Sequence, residues 1–166
     1  MRENVIWCPS PNFKPFAAKR PVTCVVIHAT ATAGLDSPKN WLCSPESKVS
    51  AHYLIGKDGA VYQLVDENNE AWHAGVSEWR GRQFVNLFSI GVELVNANDG
   101  KDLYPQPQHL ACAKLVAAIC KDNGVVVQDV VGHLDIAPGR KTDPAGFNLA
   151  GFRLVLIGMG VATKEA

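Results

Sequence analysis

Apolar runs and turn signals alternate along the chain and predict short strands joined by polar loops. Residues 22–28, VTCVVIH, form a β-branched apolar run that is typical of a buried strand. Residues 50–65 contain two apolar stretches around Lys57-Asp58-Gly59, and an Asp-Gly pair between such stretches favours a β-hairpin. Residues 89–96, SIGVELVN, predict a further central strand.

The clearest helical pattern covers residues 106–124. Its apolar positions recur at the spacing i, i+3, i+4, i+7 and form one stripe, namely Cys112, Leu115, Val116 and Ile119. The pair Asn123-Gly124 predicts the end of this helix, because glycine and asparagine tolerate the left-handed conformation that commonly follows a helix.

Weaker patterns complete the chain. Ser37-Pro38 can start a short helix, residues 125–133 suggest a strand, and residues 148–158 suggest a closing helix. Because strands and helices are intermixed, we expect an α/β or α+β fold with one central sheet. We further expect residues 1–20 to wrap the surface, residues 21–160 to form a single domain and residues 161–166 to form a tail.

Composition narrows the range of functions. Lys+Arg and Asp+Glu number 16 each, and this zero net charge argues against a nucleic-acid-binding protein. The five cysteines show no C-x-x-C motif, which favours a reduced protein. The N-terminus has no apolar signal segment, and the apolar run 152–162 is too short to span a bilayer. These features predict a cytoplasmic protein that does not bind membranes.

Two histidines stand at the ends of predicted central strands, and a loop rich in charge follows the second. His28 follows VTCVVI, and His133 begins the stretch HLDIAPGRKTD. Two imidazoles and one carboxylate would leave a zinc ion with an open coordination position, as in catalytic zinc sites. The spacing leaves two candidates for the carboxylate ligand. Asp135 could face the same side of an extended chain as His133, and Asp143 lies ten residues beyond His133. Asp135 could instead cap a helix start.

Five stretches, in this order, resemble the zinc-dependent type-2 N-acetylmuramoyl-L-alanine amidases. They are VVIHAT (25–30), SAHYLIGKDGAVYQLV (50–65), AWHAGVSEWRGR (71–82), FSIGVELVN (88–96) and GHLDIAPGRKTDP (132–144). The family includes muropeptide-recycling amidases, phage lysozyme-like amidases and peptidoglycan recognition proteins. The resemblance implies a central mixed β-sheet flanked by helices and hydrolysis of the amide bond between N-acetylmuramic acid and L-Ala.

The resemblance also implies roles for individual residues. His28, His133 and Asp143 would bind one Zn²⁺ per chain, and Glu93 and Lys141 would be catalytic. Tyr53 stands where some members have a tyrosine near the metal. The expected substrate-binding residues are Ala29, Trp72, His73, Ala74, Arg80 and Arg140.

Several of these residues also have plain structural interpretations. Glu93 could face solvent at a sheet edge, although its apolar strand favours a site, because an unpaired buried carboxylate is costly. Lys141 could be a solvated loop charge, and Tyr53 a half-buried strand residue facing away from His52. His73 could anchor its loop, and Arg80 and Arg140 could be surface charges.

The predicted substrate is peptidoglycan or a muropeptide, and the protein is expected to be a monomer. It would be a cell-wall recycling enzyme or a phage-type endolysin released through holin pores. The sequence PAGF at 144–147 departs from the Pro-Gly-Pro-x-Phe usual in recycling members, which leaves anhydro-sugar specificity open. Two alternatives are a non-catalytic peptidoglycan recognition module and a cysteine peptidase that uses Cys24 or Cys43.

Overall fold

The computed structural model of the protein describes residues 4–164. Residues 1–3 of the predicted N-terminal segment and residues 165–166 of the predicted tail lie outside this range. The elements, in chain order, are β1 (Val5–Trp7), β2 (Phe13–Lys14), β3 (Cys24–Ala29), α1 (Asp36–Leu42), β4 (Tyr53–Ile55), β5 (Val61–Gln63), β6 (Glu70–Ala71), β7 (Glu78–Trp79), β8 (Arg82–Gln83), β9 (Ser89–Leu94), α2 (Gln106–Asn123), β10 (Val130–Gly132), α3 (His133–Ile136) and α4 (Leu149–Gly158).

Six strands form the central mixed sheet in the order β1-β5-β4-β9-β3-β10. Strands β4, β9, β3 and β10 run parallel, whereas β5 is antiparallel to β4 and completes the predicted hairpin. Strand β3 is buried along its whole length. Burial on both faces explains why its sequence is continuously apolar rather than alternating. The predicted central mixed sheet flanked by helices is confirmed.

Each face of the sheet has its own apolar packing. On one face, α2 and α4 cover a large cluster that includes Ile27, Val92 and Phe152. The opposite face is divided between a cluster around Val26 and Val131 and a smaller one beneath α1. Most of the stabilisation from apolar burial therefore lies on the helical face, and the opposite face leaves room for a cleft.

The predicted long helix is confirmed as α2, and so is its end, because Gly124 takes a left-handed φ of 69°. The side-chain amide of the buried Gln108, in the first turns of α2, donates to the carbonyls of Ile55 and Val95, each at 3.0 Å. These two bonds fix the start of α2 over the carboxyl ends of β4 and β9.

Two expectations are corrected by the structure. The boundary at residue 20 does not separate an N-terminal segment from the domain, because β1 pairs in parallel with β5 and forms the edge of the central sheet. Of the strand predicted over 125–133, only β10 pairs in the sheet, because Val127–Asp129 form a 3₁₀ turn and His133 begins α3. The polar pair Gln128-Asp129 interrupts the apolar run, and the Asp129 carboxylate accepts a bond from Trp79 Nε1 at 2.8 Å.

Within the described part of the chain, no helix has the length and apolar character needed to cross a membrane.

Candidate metal and catalytic site

Three adjacent parallel strands bring distant residues to one edge of the sheet. His28 on β3 lies directly opposite Glu93 on β9, and β10, on the other side of β3, leads straight into His133. Carboxyl ends of parallel strands are where open sheets commonly bind ligands. A cavity of about 480 Å³ opens at this edge, and its lining includes Ala29, Trp72, His73, Glu93, Lys141 and Asp143.

Three donor atoms in this cavity have the geometry of a metal site. His28 Nδ1 lies 3.0 Å from His133 Nδ1 and 3.4 Å from Asp143 Oδ2, and His133 Nδ1 lies 3.1 Å from the same Oδ2. Zinc bonds of 2.0–2.2 Å place neighbouring ligands of a tetrahedron about 3.3 Å apart. The donor atoms of these three buried residues are therefore spaced as three ligands of one tetrahedral metal ion would be.

The outer nitrogen of His133 fixes its tautomer. His133 Nε2 lies 3.2 Å from the carbonyl oxygen of Ala74, which can only accept, so Nε2 carries the proton. Nδ1 then keeps its lone pair and directs it toward Asp143 and His28. A metal-binding histidine is held in this way when its other nitrogen donates to a carbonyl.

A longer chain of hydrogen bonds fixes the tautomer of His28. Ser89 Oγ donates to the carbonyl of Val85 at 2.7 Å and therefore accepts from His73 Nε2 at 3.1 Å. His73 Nδ1 is then unprotonated and accepts from His28 Nε2 at 2.9 Å. The lone pair of His28 consequently lies on Nδ1, the atom that faces His133. His73, from the WHAG stretch, orients a candidate metal ligand besides lining the cavity.

Burial and charge set the protonation states of the cluster. Burial lowers the pKa of His28 to about 4 despite the adjacent Asp143 carboxylate, and burial lowers the pKa of His73 well below its usual value. Burial alone would raise the pKa of Asp143, but the adjacent His133 and His28 rings outweigh it and hold that pKa below its usual range. Neutral imidazole and ionised carboxylate are the forms that bind a metal ion.

Glu93 is the second carboxylate of the cavity. Its Oε2 is buried and has no hydrogen-bond partner among the described residues. Burial, with the negative charge of Asp143 as a smaller cause, raises the pKa of Glu93 to about 8, while Lys141 opposes the rise. A carboxylate kept unpaired at the floor of a cleft, with a pKa near neutrality, is suited to acid–base chemistry.

The loop after β10 distinguishes the two candidate aspartates. Asp135 is exposed, and its Oδ2 accepts from the backbone N–H of Gly132 at 2.8 Å, as a helix cap. Asp143 instead turns inward to the two histidines, and its carbonyl accepts from Leu134 N at 2.9 Å. Lys141 is held by a backbone bond to Ala137 at 3.0 Å and lines the cavity.

Tyr53 is not at the cavity, so its predicted place near the metal is wrong. It lies opposite Val92 on β9, whereas its neighbour Leu54 lies opposite Glu93. Residues directly opposite each other share a face of the sheet. Tyr53 therefore packs into the helical-face core, and its hydroxyl donates to Glu67 at 2.5 Å.

Arg80 is also wrong as a substrate-binding residue. Its Nε donates to the Asp129 carboxylate at 2.6 Å, and Asp129 precedes β10, at the end of the sheet remote from the cavity. Ala74 has no exposed surface, so it supports the site through its carbonyl rather than through its side chain. Arg140 lies at the cavity, and its guanidinium donates to the carbonyls of Ala74 and Val76, both at 2.7 Å.

Sequence reasoning missed one wall of the cavity and one support beneath it. Helix α1 supplies Ser37, Pro38 and Trp41 to the lining, and Trp41 is 57% exposed. Ser89 ends the bond chain to His28 and carries no motif of its own. An exposed tryptophan near a predicted helix start was an available signal for the wall, whereas a single serine gave none.

Replacing Gly91 with alanine is expected to destabilise the protein by about 1–3 kcal/mol, because the added methyl overpacks a filled space. A Cβ added at position 91 would lie 2.4 Å from Cγ of the His73 ring. Chemical unfolding measures the loss, and Gly34→Ala is the matched control because a Cβ there meets nothing within 4 Å. Equal stability of the two variants would contradict the close packing of His73 on β9.

Comparisons with known proteins agree with this geometry. The sequence profile of a family described as N-acetylmuramoyl-L-alanine amidase (Amidase_2) matches residues 18–146. The 1,6-anhydro-N-acetylmuramyl-L-alanine amidase AmpD of Escherichia coli is 42% identical over 112 residues, which are 66% of this chain and 59% of that protein. The chain thus spans less than two thirds of the length of this curated relative.

Solved structures show the same fold. A crystal structure of selenomethionine AmpD superposes with a TM-score of 0.82 at 29% identity, over 93% of this chain and 96% of that one. The amidase AmiD from E. coli, in complex with the substrate anhydro-N-acetylmuramic acid-L-Ala-D-γ-Glu-L-Lys, gives a TM-score of 0.74 at 33% identity, over 90% of this chain and 62% of that one. From the matched profile and this shared fold, the chain belongs to the N-acetylmuramoyl-L-alanine amidase family, Amidase_2.

Proposed function

We propose that the protein is a zinc-dependent amidase that hydrolyses the bond between the lactyl group of N-acetylmuramic acid and L-Ala. The observation that carries this proposal is the convergence of His28, His133 and Asp143, with donor atoms 3.0–3.4 Å apart, beside the unpaired carboxylate of Glu93. Family membership supports the choice of bond. The site is built within one chain, which is consistent with a monomer.

The donor set suits zinc, because two imidazole nitrogens and one carboxylate oxygen at this spacing leave an open position. A zinc ion bound there would polarise the scissile carbonyl and make water acidic enough to attack at neutral pH. Glu93 takes a proton from the attacking water at its Oε2 and gives it to the leaving nitrogen of L-Ala. His73 Nδ1 and the Ala74 carbonyl accept hydrogen bonds from the protonated Nε2 atoms of His28 and His133, which keeps the ligand Nδ1 atoms unprotonated.

Lys141 and Arg140 supply positive charge to the cavity. The Lys141 ammonium stabilises the negative charge that develops on the carbonyl oxygen of the substrate, and a donor placed in advance contributes several kcal/mol to this step. Arg140 is braced by the Ala74 and Val76 carbonyls, and we propose that its remaining donors face the carboxylates of the stem peptide. Ala29 and Trp72 form apolar parts of the wall.

We propose a soluble muropeptide as the substrate, with the muramic acid in its anhydro form. The support is that the relative AmpD is a 1,6-anhydro-N-acetylmuramyl-L-alanine amidase and that the substrate in the AmiD complex contains anhydro-N-acetylmuramic acid. Cleavage of intact peptidoglycan, as by a phage endolysin, is the competing substrate class. Mass spectrometry of products from anhydro-muropeptides and from intact sacculi, assayed side by side, distinguishes the two.

Removing the metal is expected to abolish cleavage, and adding zinc is expected to restore it. Zinc is quantified by mass spectrometry before and after chelator treatment, and release of L-Ala-containing peptide is followed in the same samples. About one zinc per chain with reversible activity supports the proposal. Zinc binding without cleavage of any muropeptide would instead identify a recognition module, and chelator-resistant cleavage would contradict a metal mechanism.

A further inference from the structure

Two cysteines that the sequence separates by 35 positions meet at the outer rim of α1. Cys8 Sγ lies 3.8 Å from Cys43 Sγ, and the Cys43 thiol also lies 3.6 Å from the carbonyl oxygen of Cys8. Both residues are half-buried, whereas Cys24, Cys112 and Cys120 are buried. The pair therefore combines close approach with access for a small reagent.

The backbones on both sides of the pair are held in place. Cys8 follows β1 and donates its N–H to the carbonyl of Gln63 at 2.9 Å, which continues the pairing with β5. Cys43 ends α1, and its N–H donates to Lys39 at 3.1 Å. A disulfide needs its sulfurs about 2.05 Å apart. The two sulfurs, at 3.8 Å, must therefore approach each other by about 1.8 Å to form the bond.

We propose that Cys8 and Cys43 form a specific, reversible disulfide that links the segment after β1 to the end of α1, the helix that forms one wall of the cavity. Helix α1, which Cys43 terminates, supplies Ser37 and Trp41 to that wall. The N-terminal segment already contacts the end of this helix through Ser10, whose hydroxyl donates to the carbonyl of Leu42 at 2.5 Å. The covalent bond holds this contact for as long as the two cysteines stay oxidised. The inference is independent of the proposed amidase activity.

Oxidised glutathione is a sufficient oxidant. One protein thiolate attacks a sulfur of oxidised glutathione, forms a mixed disulfide and releases one glutathione thiolate. The second protein thiolate then attacks the protein sulfur of the mixed disulfide and releases the second glutathione. The protein loses two protons and two electrons, and oxidised glutathione becomes two reduced molecules. Burial and the neighbouring Cys8 raise the pKa of Cys43 to about 11, so closure is faster in mildly alkaline buffer.

The test treats the intact protein with oxidised glutathione and follows its mass, its free thiols and its unfolding. The expected product is lighter by two hydrogen atoms, has three titratable thiols instead of five, and yields a Cys8–Cys43 crosslinked peptide. The melting temperature is expected to rise by about 5–10 °C, because the crosslink closes a long loop in the unfolded chain. Reduction with dithiothreitol reverses all three changes.

Cys8→Ser and Cys43→Ser are the matched controls. Each is expected to gain one glutathione adduct instead of a crosslink, with no rise in melting temperature. Hydrogen exchange of the amides in α1 is expected to slow in the oxidised parent protein and not in either variant. A persistent glutathione adduct on the parent, a crosslink between other cysteines, a lower melting temperature or unchanged exchange in α1 would each overturn the proposal.

Discussion

The Glu93→Gln variant is expected to cleave muropeptides about 10²–10⁴-fold more slowly than the parent protein while binding zinc equally well. Glutamine fills the same space on β9 but has no carboxylate with which to take the proton of the attacking water. Because Glu93 is not among the three clustered donors, the metal site remains intact. Initial rates with a defined muropeptide, together with zinc content, measure the two quantities separately.

Glu78→Gln is the matched control for this substitution, because Glu78 is exposed on β7 and outside the cavity. It is expected to retain the parent rate. A Glu93→Gln enzyme with at least half the parent rate would remove Glu93 from the mechanism. Simultaneous loss of zinc would show that the glutamate acts on the metal site rather than on the proton.

The same substitution should change how stability depends on pH in the metal-free protein. Burial raises the pKa of Glu93 to about 8, above the value of about 4.3 expected in the unfolded chain. Its contribution to stability is therefore fully present below about pH 4.3 and is lost as the pH rises through about 8. Chelated parent protein should lose stability relative to chelated Glu93→Gln over this range, and parallel curves would contradict the raised pKa.

The Asp143→Ala variant is expected to bind zinc more than about 100-fold more weakly than the parent and to lose cleavage with it. Mutating a residue that only hydrogen-bonds to a metal ligand typically lowers metal affinity by about 10–100-fold, and this substitution removes a ligand itself. It also leaves the Nδ1 lone pairs of His28 and His133 facing each other across 3.0 Å. Competition with a chromophoric chelator gives the zinc affinity directly.

Asp135→Ala is the control that separates the two aspartates of this loop. Its carboxylate caps the turn at Gly132, so the variant should lose only about 1 kcal/mol of stability and keep its zinc. If Asp135→Ala lost zinc and Asp143→Ala retained it, the assignment of the third ligand would be wrong.

The placement of strands and helices could largely be predicted from local pattern. The apolar runs gave β3, β9 and the β4–β5 hairpin, and the helical stripe with its Asn-Gly end gave α2. Each of these patterns arises from burial or backbone preference within a few neighbouring residues. Strand β1 was missed because a strand of three residues, two of them exposed, carries no such pattern, and only pairing with β5 makes it a strand.

The site, too, could be predicted only in part from local pattern. Local pattern placed His28 and His133 at strand ends, and family resemblance selected Asp143, but neither measured how near their donor atoms lie. Alternation along β4 required His52 and Tyr53 to face opposite sides without saying which side holds the site. The pairing of β4 with β9 decided this and sent Tyr53 to the helical core.

The sequence by itself determined the fold class, the main strands and helices, and the residue types available for zinc and proton chemistry. Those properties depend on short-range periodicity and on side-chain chemistry. The tertiary structure alone decided the bond chain from His28 to Ser89, the pairing of Arg80 with Asp129 and the contact of Cys8 with Cys43. These contacts join residues far apart in sequence, and their distances follow from strand order and register, which no local pattern encodes.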